Sequence, residues 1–166
     1  MNPFSKTPAR YPLSPFLNFV ESFVDNVIRD KVSSPAVGSM VYCDLLTAEH
    51  SGIYVGKGKI AHLDGDGYIE IVSPELFLER LDGLNTAISV YVSCCGTEAV
   101  GNMQAAQRAR DRIGKKLEYN VIFNNCHQFT AGCMTGDFDN GISRFSSLKS
   151  IAERELCADT WRVWDC

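Results

Sequence analysis

The sequence lacks a long uninterrupted hydrophobic run. Its most apolar N-terminal stretch, residues 15–28, is broken five times by polar or acidic residues: Asn18, Glu21, Ser22, Asp25 and Asn26. Such a stretch resembles neither the core of a signal peptide nor a bilayer span. We therefore expect no stable membrane span and a cytoplasmic location, unless a specialised system exports the protein. A peripheral contact with membranes stays open.

An excess of positive charge is also lacking. Lys and Arg number 16 against 20 Asp and Glu, which gives a formal net charge of -4. A protein that neutralises phosphates needs a basic surface, so we expect no nucleic-acid partner.

Cysteine is abundant, but a cysteine framework is lacking. The seven cysteines occupy positions 43, 94, 95, 126, 133, 157 and 166, with no C-x-x-C pair among them. An odd number at irregular spacing argues against a disulfide scaffold or a metal knuckle. Each is by default a small buried side chain, so a reactive cysteine has to be identified from its surroundings.

The composition is that of an ordinary globular domain. Hydrophobic residues make up 45% and charged residues 22% of 166 residues, a length that fits one domain. We assign residues 1–36 to an irregular lead-in followed by an amphipathic helix, and residues 37–166 to the main domain. The helix is predicted from Pro15 to about residue 30, with its apolar stripe packed on the domain. Binding of a membrane surface or of a partner is the alternative role of that stripe.

Short strands should follow this helix. Strands are predicted over residues 40–46, 52–55, 59–63 and 68–72, separated by glycine-rich turns at 56–58 and 64–67. Together they form an antiparallel meander. A calcium-binding role for residues 64–67 is the weaker interpretation, because the twelve-residue loop pattern is absent.

Helices and one more strand should complete an α+β fold, in which a small antiparallel sheet packs against helices. A short helix is predicted over 74–81, a strand over 86–93, and a helix from Thr97 to about Lys116. In that helix Val100, Met103, Ala106 and Ile113 should face inward. Further helices should begin near Asn125 and cover 147–156.

Two of the three histidines stand twelve residues apart. His50 lies at the entrance to the second strand and His62 lies in the third. Across a hairpin their rings could share one end of the sheet. A histidine in a strand is more often a hydrogen-bonded structural residue than a base, so this pair needs a further partner.

The further partner is Cys126. Because asparagine is a strong N-cap, Asn125 predicts that Cys126 lies in the first turn of a helix. Free N–H groups and the helix dipole there would lower the thiol pKa and populate the thiolate. The same N–H groups could stabilise an oxyanion.

These residues resemble the lecithin:retinol acyltransferase-like family of the permuted papain-like, NlpC-type superfamily. The family pattern is H-x-G-I-Y-x-G, a second histidine twelve residues after the first, and later N-C-E-H-F at the start of a helix. The matching stretches are residues 38–42, 50–56, 60–62 and 119–129. The family's Cys-Glu-His-Phe reads Cys-His-Gln-Phe here, so roles attached to that Glu and that second His are not carried over.

The resemblance implies a circularly permuted papain-like domain and a thiol-dependent acyltransferase or hydrolase that acts on lipid esters, as in a phospholipase. It implies Cys126 as nucleophile, His50 as general base and His62 as the residue that orients the base. We add Tyr54, Asn125 and His127 as candidate substrate-binding or oxyanion residues. No cofactor is expected.

Alternatives remain at this point. Related papain-like folds hydrolyse amides of peptides or peptidoglycan with the same parts, and some proteins with such motifs serve as binding modules without catalysis. A zinc site from His50, His62, Cys126 and His127 is weaker, because adjacent Cys and His on a helix point apart. A basic run over residues 108–116 predicts a solvated helix face, with contact to a lipid headgroup or acidic substrate as the alternative. The acyl group, its acceptor and the oligomeric state stay open.

Overall fold

The computed structural model describes residues 31–32, 34–45, 48–79, 89–117 and 122–166. The predicted N-terminal helix and the first residues of the strand predicted over 86–93 lie outside this set. The domain boundary at residue 36 therefore stays a prediction. The described residues form eight strands and four helices.

The strands and helices follow one another along the chain. The strands are β1 (Lys31–Val32), β2 (Met40–Leu45), β3 (Ala48–Gly56), β4 (Lys59–Leu63), β5 (Ile69–Val72), β6 (Tyr91–Cys95), β7 (Glu98–Ala99) and β8 (Thr160–Trp164). The helices are α1 (Pro74–Leu78), α2 (Met103–Arg110), α3 (Ile122–Thr135) and α4 (Phe145–Leu156).

All strands belong to one sheet. Its order is β1-β8-β6-β2-β3-β4-β5, and β7 pairs with β6 outside this path. Every pair is antiparallel except β1 with β8, so the sheet is mixed. The predicted α+β class is confirmed, whereas the circular permutation stays a prediction.

The predicted meander is β2-β3-β4-β5. Gly56, Lys57 and Gly58 all have positive φ in the turn between β3 and β4, as glycine-rich hairpin chemistry requires. In the next turn the Asp64 carboxylate accepts hydrogen bonds from the N–H groups of Asp66 and Tyr68, at 2.9 and 2.7 Å. This carboxylate therefore stabilises a turn, which supports the hairpin interpretation over the calcium one.

The helix predicted over residues 97–116 is wrong at both ends. Thr97 lies in the tight turn between β6 and β7, where Gly96 has φ +56°. The helix begins only at Met103, because the Asn102 side chain accepts a hydrogen bond from the N–H of Gln104. It ends at Arg110. Met103 and Ile113, predicted inward, are 65% and 42% exposed.

Helix α4 and strand β8 close the domain. Helix α4 confirms the helix predicted over 147–156. It ends at Leu156, and the next residue, Cys157, has the left-handed conformation common after a helix. Strand β8 was not predicted, because its sequence Thr-Trp-Arg-Val-Trp is short and follows no turn motif. It pairs with both β6 and β1.

The sheet buries apolar side chains on both faces. On one face the residues Met40, Ile53, Ala61 and Leu63 pack with buried residues of α2, α3 and α4. On the other face Val41, Cys43, Tyr54, Ile60 and Val72 pack with Phe77 of α1 and Trp164 of β8. Because side chains alternate along a strand, consecutive residues of β3 reach opposite layers of the molecule.

Candidate active site

Two neighbouring strands bring His50 and His62 together. In the register of β3 and β4, His62 lies opposite Gly52, two residues beyond His50. A Cβ atom on Gly52 would lie 3.2 Å from the Cβ of His62, so the glycine leaves the room that the two rings need. His50 Nε2 lies 2.9 Å from His62 Nδ1. Both rings also pack against Phe77.

The other ring nitrogen of His62 contacts an acidic residue. Glu70 lies directly opposite His62 in the pairing of β4 and β5. Its Oε1 is 3.3 Å from His62 Nε2. The ring of His62 is fully buried, whereas the side chain of Glu70 is 41% exposed. The three side chains His50, His62 and Glu70 thus form a chain across three strands.

Cys126 lies one turn further into its helix than predicted. Helix α3 begins at Ile122, so Asn125 is its fourth residue rather than its N-cap, and Cys126 is its fifth. The fifth residue of a helix falls after the four N–H groups that lack an intrahelical partner. The predicted placement in the first turn is therefore wrong, because the helix extends back into the apolar residues before the asparagines.

The surroundings of Cys126 also differ from the prediction. Burial raises the pKa of its thiol, and hydrogen bonds from the backbone N–H and hydroxyl of Ser51 and from the N–H groups of His127 and Cys126 lower it in part. The net direction is upward, since the side chain is only 4% exposed. The resting thiol is therefore neutral near pH 7, and it needs a base to become a nucleophile.

A second, buried polar cluster holds Ser51 beside this thiol. The Ser51 hydroxyl lies 2.9 Å from His127 Nδ1 and 3.1 Å from the Thr130 hydroxyl. His127 Nδ1 is also 3.7 Å from Cys126 Sγ. Burial lowers the pKa of His127, with an opposing contribution from Glu49, so its ring is neutral. His127 therefore acts on Ser51 and Cys126 as a hydrogen-bonding ring.

A second buried cysteine, Cys43, lies in the sheet beside the histidine pair. It lies opposite His50 in the pairing of β2 and β3. Burial, with smaller contributions from the charges of Asp44 and Cys126, raises the pKa of its thiol to about 12.

Comparison with protein families places these residues in a known context. The family model described as lecithin retinol acyltransferase matches residues 33–139. The chain belongs to this family. Membership of the lecithin retinol acyltransferase family points to an enzyme of the acyltransferase or hydrolase type.

Three curated relatives are genome polyproteins of avian encephalomyelitis virus, from strains L2Z, Van Reokel and Calnek vaccine. Each is 24% identical over 103 residues, which are 61% of this chain. The matched segment is 5% of each polyprotein. At this identity and coverage the relatives indicate no substrate.

Tyr54, a predicted substrate-binding residue, makes structural contacts. The Tyr54 hydroxyl accepts a hydrogen bond from the N–H of Gly58, and its ring packs against Trp164. We therefore leave Tyr54 out of the proposed mechanism. Within the described ranges, no group of three or more His, Cys, Asp or Glu side chains could hold a metal ion. No helix in the described part of the chain is long and apolar enough to cross a membrane.

The basic run has a structural use. Arg108 donates hydrogen bonds to the carbonyls of Cys133 and Met134 at the end of α3. Arg110 donates to the carbonyl of Val55, and Arg112 lies over the ring of Phe138. These contacts give three of the five basic residues a structural role. They weaken the alternative that these three residues contact a lipid headgroup.

Two residues of this candidate site, Ser51 and Glu70, were not predicted from the sequence. Ser51 follows His50 directly, and strand alternation alone puts it on the opposite face, toward the helices. Glu70 could have been found from the turn at residues 64–67, since that hairpin sets His62 opposite residue 70.

Proposed function

We propose that this chain is a cysteine-dependent acyltransferase or hydrolase that forms a thioester acyl-enzyme on Cys126, with lipid esters as its substrate class. The observation that carries this is the family match, which includes the histidine pair and Cys126. His50 Nε2 lies 2.9 Å from His62 Nδ1. Hydrogen bonds from Ser51 and from the His127 N–H lower the pKa of the Cys126 thiol against the effect of burial.

His50 is the general base in this mechanism. Its Nε2 is engaged by His62, so Nδ1 is the nitrogen that accepts the proton of the Cys126 thiol. The thiolate sulfur attacks the carbonyl carbon of the ester, and the carbonyl oxygen becomes an oxyanion. A base is required because burial raises the thiol pKa, which separates this site from one with a preformed thiolate.

The acyl-enzyme then forms and breaks down. The oxyanion re-forms the carbonyl, the bond to the ester oxygen breaks, and the alcohol leaves with the proton from His50. Water or an amine next attacks the thioester carbonyl, while His50 takes a proton from it. The proton returns to the Cys126 sulfur as the acid or amide leaves, so the enzyme is regenerated without a cofactor.

Hydrogen-bond donors around Cys126 suit the oxyanion. Hydrogen bonds from Ser51 and from the His127 N–H lower the pKa of the Cys126 thiol against the effect of burial, and of these groups the Ser51 hydroxyl is the candidate donor to the oxyanion. Donors fixed in a buried site stabilise developing charge without reorganising. The His127 ring and Thr130 hold the Ser51 hydroxyl in place.

The lipid ester substrate class rests on the family match. Amide hydrolysis on peptides or peptidoglycan uses the same nucleophile and base. The test therefore has to compare different classes of acyl donor. Three arms are needed: phospholipid vesicles, an acyl thioester, and a peptide with peptidoglycan fragments.

The experiment is intact-mass analysis after incubation with each donor. We expect a hydroxylamine-sensitive adduct of fatty-acyl mass on the wild type with phospholipid, and no adduct on Cys126→Ala. Because loss of a nucleophile removes most of the chemistry, turnover should fall by roughly 10³-fold or more. The matched control is Cys133→Ala, which removes another buried thiol of α3 and should keep the adduct.

The outcomes separate the candidate functions. An adduct from the peptide arm alone would replace the lipid ester with an amide substrate. Equal turnover of all donors by wild type and Cys126→Ala would contradict the nucleophile and leave a binding module. Melting temperatures of the two alanine variants report whether each still folds.

A further inference from the structure

We infer that Glu70 is a positioning residue of this site. It fixes the tautomers of His62 and His50, so that Nδ1 of His50 carries the lone pair that accepts the proton of the nucleophile. This role rests on the proposed function, since it matters only if His50 deprotonates a nucleophile. Three strands supply the three groups: His50 from β3, His62 from β4 and Glu70 from β5.

The direction of the hydrogen bonds follows from the carboxylate. An ionised carboxylate can only accept hydrogen bonds. Glu70 Oε1 lies 3.3 Å from His62 Nε2, an ion-pair distance, so a proton on that nitrogen faces the carboxylate and we assign the ring proton to Nε2. In a neutral imidazole the remaining nitrogen then has a lone pair. His62 Nδ1 is therefore an acceptor, and it accepts from His50 Nε2 at 2.9 Å.

The same logic sets the tautomer of His50. If Nε2 of the neutral His50 ring is the donor, its Nδ1 carries the lone pair that a general base needs. The carboxylate of Glu70 thus acts on the base through one intervening ring.

A competing hydrogen bond makes this role necessary. His62 Nδ1 also lies 3.2 Å from the carbonyl oxygen of Leu63. Without Glu70, a proton on Nδ1 would be stabilised by that carbonyl. His50 Nε2 would then have to accept, its own proton would move to Nδ1, and the base would be lost. Two tautomeric arrangements are therefore available, and the carboxylate selects one.

Burial gives this selection its strength. The His62 ring is fully buried, so water does not supply alternative partners to its nitrogens. Glu70 is 41% exposed, so removing its carboxylate leaves no buried charge without a partner. A variant of Glu70 should therefore fold, with a melting temperature within about 2 °C of the wild type.

The test reads the tautomers directly and needs no substrate. The chain has only three histidines, so long-range ¹H–¹⁵N spectra of ¹⁵N-histidine protein can be assigned with single His variants. At neutral pH we expect His62 protonated on Nε2 alone in the wild type. In Glu70→Ala we expect the proton on Nδ1, whereas Glu70→Gln should keep the wild-type tautomer through its amide oxygen.

The acylation rate provides the second readout. In Glu70→Ala the rate of thioester formation at saturating donor should fall about 10- to 100-fold, with little change in KM. Glu70→Gln should recover most of that loss. The matched control is Glu153→Gln, which removes one exposed carboxylate from α4 and should change neither spectrum nor rate.

Distinct results contradict the two proposals. Wild-type His62 protonated on Nδ1, or on both nitrogens, would overturn the role of Glu70 even if Cys126 forms a thioester. An unchanged tautomer in Glu70→Ala would overturn it equally. Absence of any thioester on the wild type would contradict the proposed function, while the spectra would still report whether Glu70 sets the tautomer.

Discussion

At the scale of single residues, the state of the Cys126 thiol decides how the site can react. Burial raises its pKa above the ordinary 9.0, and hydrogen bonds from Ser51 and from two backbone N–H groups offset part of that rise. A neutral resting thiol is protected from nonspecific oxidation and alkylation, because the thiolate is the reactive form. Reactivity should then appear only when a substrate and a base meet it.

This thiol should respond to pH in a specific direction. Because its pKa is raised, the rate of Cys126 alkylation by a small neutral reagent should climb with pH and not reach a plateau below pH 9. At pH 7 the exposed Cys95 and Cys157 should be labelled first. Peptide mapping of time-resolved labelling measures each site. A plateau for Cys126 below pH 8 would instead indicate a preformed thiolate.

Much of the site could be predicted residue by residue, and the exceptions have physical causes. The spacing of His50 and His62 predicted their proximity, since a hairpin brings such residues to one place, and the rings lie within 2.9 Å. The thiol pKa could not be predicted. It depends on burial by distant segments, whereas the sequence displays only the local helix signal at Asn125.

At the scale of elements, Gly52 explains why β3 and β4 can hold two imidazoles. A Cβ atom there would lie 2.7 Å from the Ala61 carbonyl oxygen and 2.9 Å from a methyl group of Ile60. Such contacts are shorter than packed atoms tolerate, so a larger residue has to push β4 away from β3. The glycine of the H-x-G pattern is therefore a steric requirement of the strand pairing.

Gly52→Ala should accordingly lower the free energy of unfolding by about 1–3 kcal/mol, as overpacked cores do. It should also reduce thioester formation on Cys126, because His62 moves with β4. Urea unfolding and intact mass measure the two effects. Gly141→Ala is the control, since a Cβ there meets nothing within 4 Å, and its stability should change by less than about 1 kcal/mol. Equal stability of both variants would contradict the steric role.

The elements themselves were predictable where local signals act alone. Glycine-rich turns bounded β3, β4 and β5, and Ser73 before Pro74 marked α1. The helix predicted around α2 was too long, because Thr97 was interpreted as its first residue although it lies in a tight turn with Gly96. Strand β8 depends on pairing with β6, some 70 residues earlier in the chain, which no local pattern encodes.

At the scale of the whole molecule, the buried thiols couple stability to alkaline pH. Burial raises the pKa of Cys43 and of Cys133 to about 12, from an ordinary 9.0. Between these values the unfolded chain loses protons that the folded chain keeps. The folded state binds more protons there, so its stability falls as pH rises. Below pH 9 both states hold these protons, and the thiols contribute no slope.

We therefore expect the free energy of unfolding, measured in urea under reducing conditions, to decline steadily from pH 9 to pH 12. Each of the two thiols accounts for at most about 4 kcal/mol over that window. Cys133→Ala should be less stable at pH 7, because it leaves a small cavity, but its decline with pH should be shallower. Cys95→Ala, which removes an exposed thiol, should keep the wild-type slope. Identical slopes in all three proteins would show that ionisation of Cys133 does not drive the alkaline loss of stability.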